Sequence, residues 1–118
     1  MAANPVIRIA ELRLISNGEP STSLVRLAGR ISSATCPAIE RTLGALIPHF
    51  RRIVLDLSNV DHIDNSALGT LASLYALARR ADCDLEIANV KPRPKERLRS
   101  WLDSVFMGHE EFLGMTPD

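Results

Sequence analysis

The chain has 118 residues and a mass of 13.0 kDa, which is the usual size of one folded domain. Hydrophobic residues make up 46% and charged residues 24% of the sequence, as in typical globular proteins, so an ordered fold is expected. The 14 Lys and Arg residues balance the 14 Asp and Glu residues, which excludes functions that depend on a strongly charged surface. We therefore expect a partner to be recognised by local shape, and we expect no nucleic-acid binding.

The sequence also limits the compartment and the cofactors. The longest uncharged stretch, residues 65–78, contains Ser, Thr and Gly and is too short for a membrane span, which needs about 18 or more apolar residues. The first residues lack the basic and apolar regions of a signal peptide, so a cytoplasmic location is predicted. Cys36 and Cys83 form no CxxC motif and have no His at ligand spacing, which indicates reduced thiols and no metal or other cofactor. We expect a single domain over residues 1–118, with flexible ends at 1–5 and 114–118.

The first half of the chain predicts a hairpin and a helix. Residues 6–15 and 24–31 are apolar segments separated by a Gly, Pro and Ser-rich break with Asn17-Gly18, a strong hairpin signal. The two strands are therefore predicted to be antiparallel. A helix capped by Thr35 follows, with apolar residues at helical spacing until Pro48 discourages its continuation.

The second half alternates strands and helices. Residues 53–60 form an apolar run with one acid, typical of a strand in a parallel sheet that is buried on both faces. Residues 66–80 give the strongest helix, and a short strand over 85–90 follows, which together predict a right-handed crossover. A last helix is predicted to open at Pro94, ahead of a tail with Phe106 and other apolar residues.

The turn at residues 61–69 is the predicted functional site, because ligands and partners meet an α/β sheet beyond the carboxyl ends of its strands. Asp64 or Ser66 can cap the following helix. Opposite its apolar face, that helix presents small, nearly uncharged side chains and an isolated leucine: Ser66, Gly69, Thr70, Ser73, Leu77 and Arg80. Such a face indicates close approach by another protein, and the alternative is that the first helix or the tail covers it.

The order of these segments resembles the STAS domain shared by sulfate transporters and anti-sigma factor antagonists. The similarity covers residues 10–105 and is carried by the strand end 56–60, the segment 63–69 with the family signature approximating D-S-S-G-L-G, and the flanking strands 25–31 and 85–90. The resemblance implies an α/β fold with a STAS-like mixed β-sheet of four to five strands and helices packed on it. Because the chain ends soon after Leu113, the family's closing helix is expected to be short or missing, and self-association as a homodimer is a further expectation.

The resemblance also implies a function. In anti-sigma factor antagonists, the second hydroxyl residue of the signature is phosphorylated by a serine kinase of ATPase-like fold that is also the anti-sigma factor. By position this residue is Ser66, so the chain is expected to be a non-enzymatic binding module with that kinase as its partner. The expected partner-binding residues are Ser32, His62, Asp64, Asn65, Ser66, Gly69, Thr70, Ser73 and Leu77. Ser32 stands where many antagonists have Asp, Asn65 replaces the first Ser of the signature, and Ala67 replaces its Gly.

Other functions remain open from the sequence. The first alternative is a STAS accessory subunit of a transporter, for instance in phospholipid trafficking, which uses the same surface for docking only. His62, Asp64 and Ser66 also allow a small hydrolase, although the G-x-S-x-G motif is absent. The basic run at residues 91–99 indicates a solvated helix start, or else a contact for an acidic partner or a phosphate.

Overall fold

The structure is a computed structural model that describes residues 7–16 and 18–105. Its elements in chain order are β1 (Arg8–Ser16), β2 (Glu19–Ile31), α1 (Cys36–Leu46), a 3-10 turn (Ile47–His49), β3 (Arg52–Ile63), α2 (Asn65–Arg80), β4 (Asp84–Ala88) and α3 (Pro92–Val105). Within this part of the chain, no helix is both long and apolar enough to cross a membrane.

The four strands form one mixed sheet in the order β1-β2-β3-β4. β1 and β2 pair antiparallel, as the hairpin signal predicted, whereas β3 runs parallel to both β2 and β4. The pairing of β3 with β4 ends at Asp56 and Ala88, while β2 accompanies β3 as far as Ile63. The expected mixed sheet with helices packed on it is therefore confirmed, and the described residues contribute four strands to it.

One face of the sheet carries the hydrophobic core. Alternate side chains of β2 and β3 are buried and pack with the apolar faces of α1 and α2; they include Val25, Leu27, Ile53, Leu55, Ile39, Leu43, Leu68 and Leu71. On the opposite face Leu24 and Val54 are only half-buried. The expectation that β3 is buried on both faces is therefore wrong: Val54 and Ser58 are half-buried and Asn59 is exposed, because successive side chains of a strand point to opposite faces and only one face carries the core.

Several boundaries differ from the sequence prediction. β3 extends beyond Val60 because the end of β2 continues to pair with it. α3 starts at Pro92 rather than Pro94, since proline is well tolerated in the first turn of a helix. Both cysteines are free and buried, as predicted. The predictions for the amino-terminal residues 1–5 and for the tail from Phe106 onwards lie outside the described residues.

Candidate partner-binding site

The turn between β3 and α2 consists of one residue, Asp64, which links three segments. Its Oδ1 accepts a hydrogen bond from the amide of Ala67 at 2.9 Å, so Asp64, not Ser66, provides the side-chain cap of α2. Its own amide donates to the carbonyl of Ile31 at the end of β2, at 3.0 Å. Its Oδ2 accepts from the amide of Ser33 at 3.3 Å. Asp64 therefore holds the start of α2 against the loop between β2 and α1.

That loop is closed by its own hydrogen bonds. The hydroxyl of Thr35 donates to the carbonyl of Arg30 at 2.8 Å and accepts from the amide of Ser32 at 2.9 Å. Thr35 is the N-cap residue of α1 by position, but its side chain makes no cap hydrogen bond, so the predicted capping role is wrong. The hydroxyl is used inside the loop, which fixes half-buried Ser32 beside the segment bonded to Asp64.

Ser66 lies in the first turn of α2 and is exposed. Because Asp64 already caps the helix, no hydrogen bond within the described residues engages the Ser66 hydroxyl. Asn65, the first residue of α2, is also exposed, and its Oδ1 accepts from Nη2 of Arg97 at 2.9 Å. This contact brings α3, and with it part of the basic run, to the edge of the turn. The hydroxyl of Ser66, the predicted phosphorylation site, is thus accessible at the capped start of α2.

A groove of about 520 Å³ runs along α2 from Ser66. It is lined by the following residues: Glu40, Ser66, Gly69, Thr70, Ser73, Leu74 and Leu77. Helix α1 supplies Glu40 to one wall but does not cover the groove, since Leu77 remains 45% exposed. The structure thus brings together the residues predicted on the open face of α2, of which Arg80 is exposed but does not line the groove. Whether the tail covers this face falls outside the described residues.

The prediction that His62 lies in a loop is wrong. His62 is the second-last residue of β3, half-buried, and pairs with Arg30 of β2. Since β2 and β3 are parallel, His62 and Ser32 lie at the carboxyl ends of neighbouring strands.

A triad would need Asp64 to orient His62, yet both oxygens of Asp64 accept from backbone amides. Among the described residues, no three His, Cys, Asp or Glu side chains gather into a metal site.

Sequence reasoning missed Glu40 and Arg97, which reach the site from α1 and α3. Arg97 contacts Asn65 across 32 positions of the chain, and no local pattern signals such a contact. The only sequence signal for Arg97 was its place in the basic run at residues 91–99. The structure uses that run partly for local pairing, because Lys91 Nζ donates to the carboxylate of Asp61 and thereby lowers the pKa of that carboxyl.

The buried acid of β3, Asp56, belongs to the scaffold. Burial by itself would raise the pKa of Asp56, but hydrogen bonds from the amide and hydroxyl of Ser58 and from Arg26 and Asn89 outweigh it and lower the pKa. The Ser58 amide lies 2.9 Å from Oδ1 and Arg26 Nε lies 3.1 Å from Oδ2. Asp56 therefore stays ionised where β4 ends and where the pairing of β2 with β3 becomes irregular.

Comparisons with known proteins agree with this architecture. A family model described as "Mlab, STAS domain" matches residues 16–101. No curated protein sequence matches the chain.

Among solved structures, an anti-sigma factor antagonist from Mycobacterium paratuberculosis is 23% identical over 91% of this chain and 93% of its own, with a TM-score of 0.59. An antisigma-factor antagonist STAS domain from Rhodobacter sphaeroides is 19% identical over 74% and 90%, with a TM-score of 0.56. The Bacillus cell fate determinant SpoIIAA in its phosphorylated form is 17% identical over 83% and 89%, with a TM-score of 0.59. These identities show a shared fold. Because the family match spans more than half of the chain, the protein belongs to the STAS domain family.

Proposed function

We propose that this protein is a non-enzymatic regulatory binding module of the anti-sigma factor antagonist type. In this proposal it captures an anti-sigma factor that is also a serine kinase of ATPase-like fold, and phosphorylation of Ser66 releases that partner. The observation that carries the proposal is the exposed Ser66 hydroxyl at the end of an open groove whose scaffold does not use that hydroxyl. The fold shared with solved anti-sigma factor antagonists supports the same class.

The groove has the chemistry of a protein contact surface. Its α2 side carries Gly69, Thr70 and Ser73, whose small side chains let a partner backbone approach closely. Leu77, 45% exposed, supplies an apolar anchor at the far end from Ser66. Among the described residues that line the groove, only Glu40 on the α1 wall is charged. A partner that buries this surface therefore desolvates few charges.

A phosphate on Ser66 changes that surface without loosening the fold. The group brings a charge of about −1.5 to −2, and the amino terminus of α2 favours an anion there by about 0.3–1 kcal/mol. Asp64 keeps its hydrogen bonds to Ala67 and Ser33, because neither bond involves the Ser66 hydroxyl. In contrast, a partner seated on the groove would have to desolvate the dianion beside Glu40, and every 1.4 kcal/mol or so of that penalty weakens binding about tenfold. The switch thus acts at the interface.

The deciding experiment is incubation with the candidate kinase and ATP, followed by mass mapping of the phosphorylated residue. We expect one phosphate on Ser66 in the wild type, none in Ser66→Ala, and normal incorporation in the matched groove variant Ser73→Ala. A stoichiometric phosphate elsewhere, with Ser66 unmodified, would contradict the proposed switch.

Partner capture has its own test. Leu77→Glu should weaken binding of the unphosphorylated protein to the kinase by about tenfold or more, since a buried charge replaces an apolar contact. Leu12→Glu is the matched control, because Leu12 is an exposed leucine of β1 outside the groove. Equal binding of the wild type and Leu77→Glu would exclude the groove as the contact surface.

The departures of the turn from the family signature favour a second candidate function. Asn65 occupies the place of the first signature Ser and is bonded to Arg97, while Ala67 replaces Gly and is fully buried. A site modified in this way could serve docking alone, as in an accessory subunit of a transporter. In that case Leu77→Glu would block docking to the transporter, and Ser66→Ala or Ser66→Glu would leave docking unchanged.

A further inference from the structure

Within the part of the chain that the structure describes, the outer edge of β1 has no neighbouring strand. β1 is the first strand in the sheet order, and none of the described residues pairs with its outer edge. From Ala10 to Leu14 every residue is exposed, and Leu12 and Leu14 are 56% and 49% exposed. The irregularity in the hairpin places its extra residue on β2, which leaves β1 regular. Proteins commonly protect such edges with proline, bulges or inward-pointing charges. β1 contains no proline, but Glu11 and Arg13 lie on the core side of the sheet, opposite the buried Val25 and Ser23. A second strand can therefore pair with this edge only where its own charges are complementary to these two.

The charges of β1 are arranged for pairing with a copy of itself. Glu11 and Arg13 lie on the same face of the strand and already form an ion pair within it. A two-fold axis through Leu12 would place Glu11 opposite Arg13 of the second copy, and Arg13 opposite its Glu11. On the other face Leu12 would meet Leu12, and Ala10 would meet Leu14. On one face of the joined sheet each acidic side chain would therefore face a basic one, and on the other face apolar side chains would face apolar ones.

Charge also selects this register over its neighbours. An axis through Glu11 would place the two Glu11 carboxylates directly opposite each other, and an axis through Arg13 would do the same with two guanidinium groups. Like charges directly opposite each other destabilise a strand pair. Of these three registers, only the one centred on Leu12 pairs Glu11 and Arg13 with opposite charges while keeping the core faces of both sheets on the same side.

From this we infer that the protein forms a homodimer in which the β1 strands pair antiparallel about Leu12, joining the two sheets into one of eight strands. The occupant of the β1 edge is thus a second copy of this chain. The edge shares no residue with the groove along α2, so each copy keeps its groove free.

Sedimentation equilibrium of the full chain tests the inference. We expect a reversible monomer and dimer equilibrium for the wild type and a dimer weakened at least about tenfold in Leu12→Glu, which places two carboxylates on the axis. Leu77→Glu adds the same charge to an exposed leucine of the groove and should leave the equilibrium unchanged. A wild type that stays monomeric at the highest concentration measured would overturn the inference, as would a dimer that survives Leu12→Glu or is broken by Leu77→Glu.

Charge exchange makes the test specific to the register. Glu11→Arg gives two basic residues around Leu12 and Arg13→Glu gives two acidic ones, so each variant should dimerise about tenfold more weakly by itself. An equimolar mixture of the two should form heterodimers with about wild-type affinity, because every charge then faces its opposite. The double variant Glu11→Arg/Arg13→Glu should also recover the dimer. If the mixture contains only the species of the separate variants, the register is wrong, and circular dichroism of each variant establishes that it is folded.

Discussion

Removal of the Asp64 side chain should destabilise the protein by an amount that follows from its hydrogen bonds. In Asp64→Ala the amide of Ala67 loses its cap, a change that is worth about 1 kcal/mol at helix N-termini. The bond to the Ser33 amide is also lost, but at 3.3 Å it is long, so we assign it about 0.5 kcal/mol. The backbone bond from Asp64 to Ile31 remains. The expected loss of unfolding free energy is therefore about 1.5 kcal/mol.

Urea denaturation measures this loss, since a domain of this size changes its unfolding free energy by about 1–3 kcal/mol per molar urea. The midpoint should fall by roughly 0.5–1.5 M in Asp64→Ala. Asp64→Asn is the matched control, because its amide oxygen still accepts from Ala67 while its amide nitrogen cannot accept from Ser33. It should lose only about 0.5 kcal/mol. Equal midpoints for the Ala variant and the wild type, or equal losses in both variants, would refute this account of the turn.

Three further predictions concern the scaffold. Hydrogen bonds lower the pKa of Asp56 below its unfolded value of 3.8. The stabilisation from the ionised carboxylate is therefore complete above pH 3.8 and is lost as the pH falls through the folded pKa. Between pH 5 and about pH 2, the unfolding free energy from urea denaturation should fall more steeply for the wild type than for Asp56→Asn. Gly29→Ala should destabilise the protein by about 1 kcal/mol or more, because Gly29 has a φ of 125° that a residue with a Cβ rarely adopts. Gly44→Ala should stabilise it by about 0.5–1 kcal/mol, because a Cβ at this position of α1 would meet no atom within 4 Å. Thermal melts of both variants check the two signs. The Cys83 thiol, whose pKa is raised by burial and by Asp84, should resist a thiol reagent at pH 8 in the native protein and react once urea unfolds it; rapid native reaction would contradict its burial.

The central unit of the fold could be predicted because its signals are local. The apolar run of β3 and the Ala and Leu-rich segment of α2 each have a period that one segment reveals by itself. The hairpin followed from Asn17-Gly18, and the mixed sheet was expected from the family resemblance. Asp56 shows the limit of this reasoning. In the apolar pattern of β3, Asp56 is only an interruption. In the structure, its hydrogen bonds with Arg26, Ser58 and Asn89 fix it within the sheet.

The sequence predicts which side chains share the open face of α2, but it does not predict the contacts that hold the candidate site together. Exposure of Ser66 and Leu77 followed from the helical period, because that pattern assigns each side chain to a face. The bonds from Asp64 to Ser33 and from Asn65 to Arg97 span 31 and 32 positions, so they depend on tertiary packing. Thr35 was assigned wrongly for a related reason. Its hydroxyl donates to the Arg30 carbonyl and accepts from the Ser32 amide, so it is used before the helix and accepts from no amide of α1.

The separation of roles between Asp64 and Ser66 gives the proposed switch its physical basis. Had Ser66 capped α2, phosphorylation would remove a cap and the response would include partial loss of the helix. Asp64 instead supplies the cap and the link to the β2 and α1 loop, two positions before a hydroxyl that no described residue engages. Charge can therefore be added to Ser66 while the groove keeps its shape, and a partner distinguishes the two forms by electrostatics. Under the proposed function, Ser66→Ala should abolish phosphate incorporation with little change in the unfolding free energy, whereas Asp64→Ala should lower the unfolding free energy.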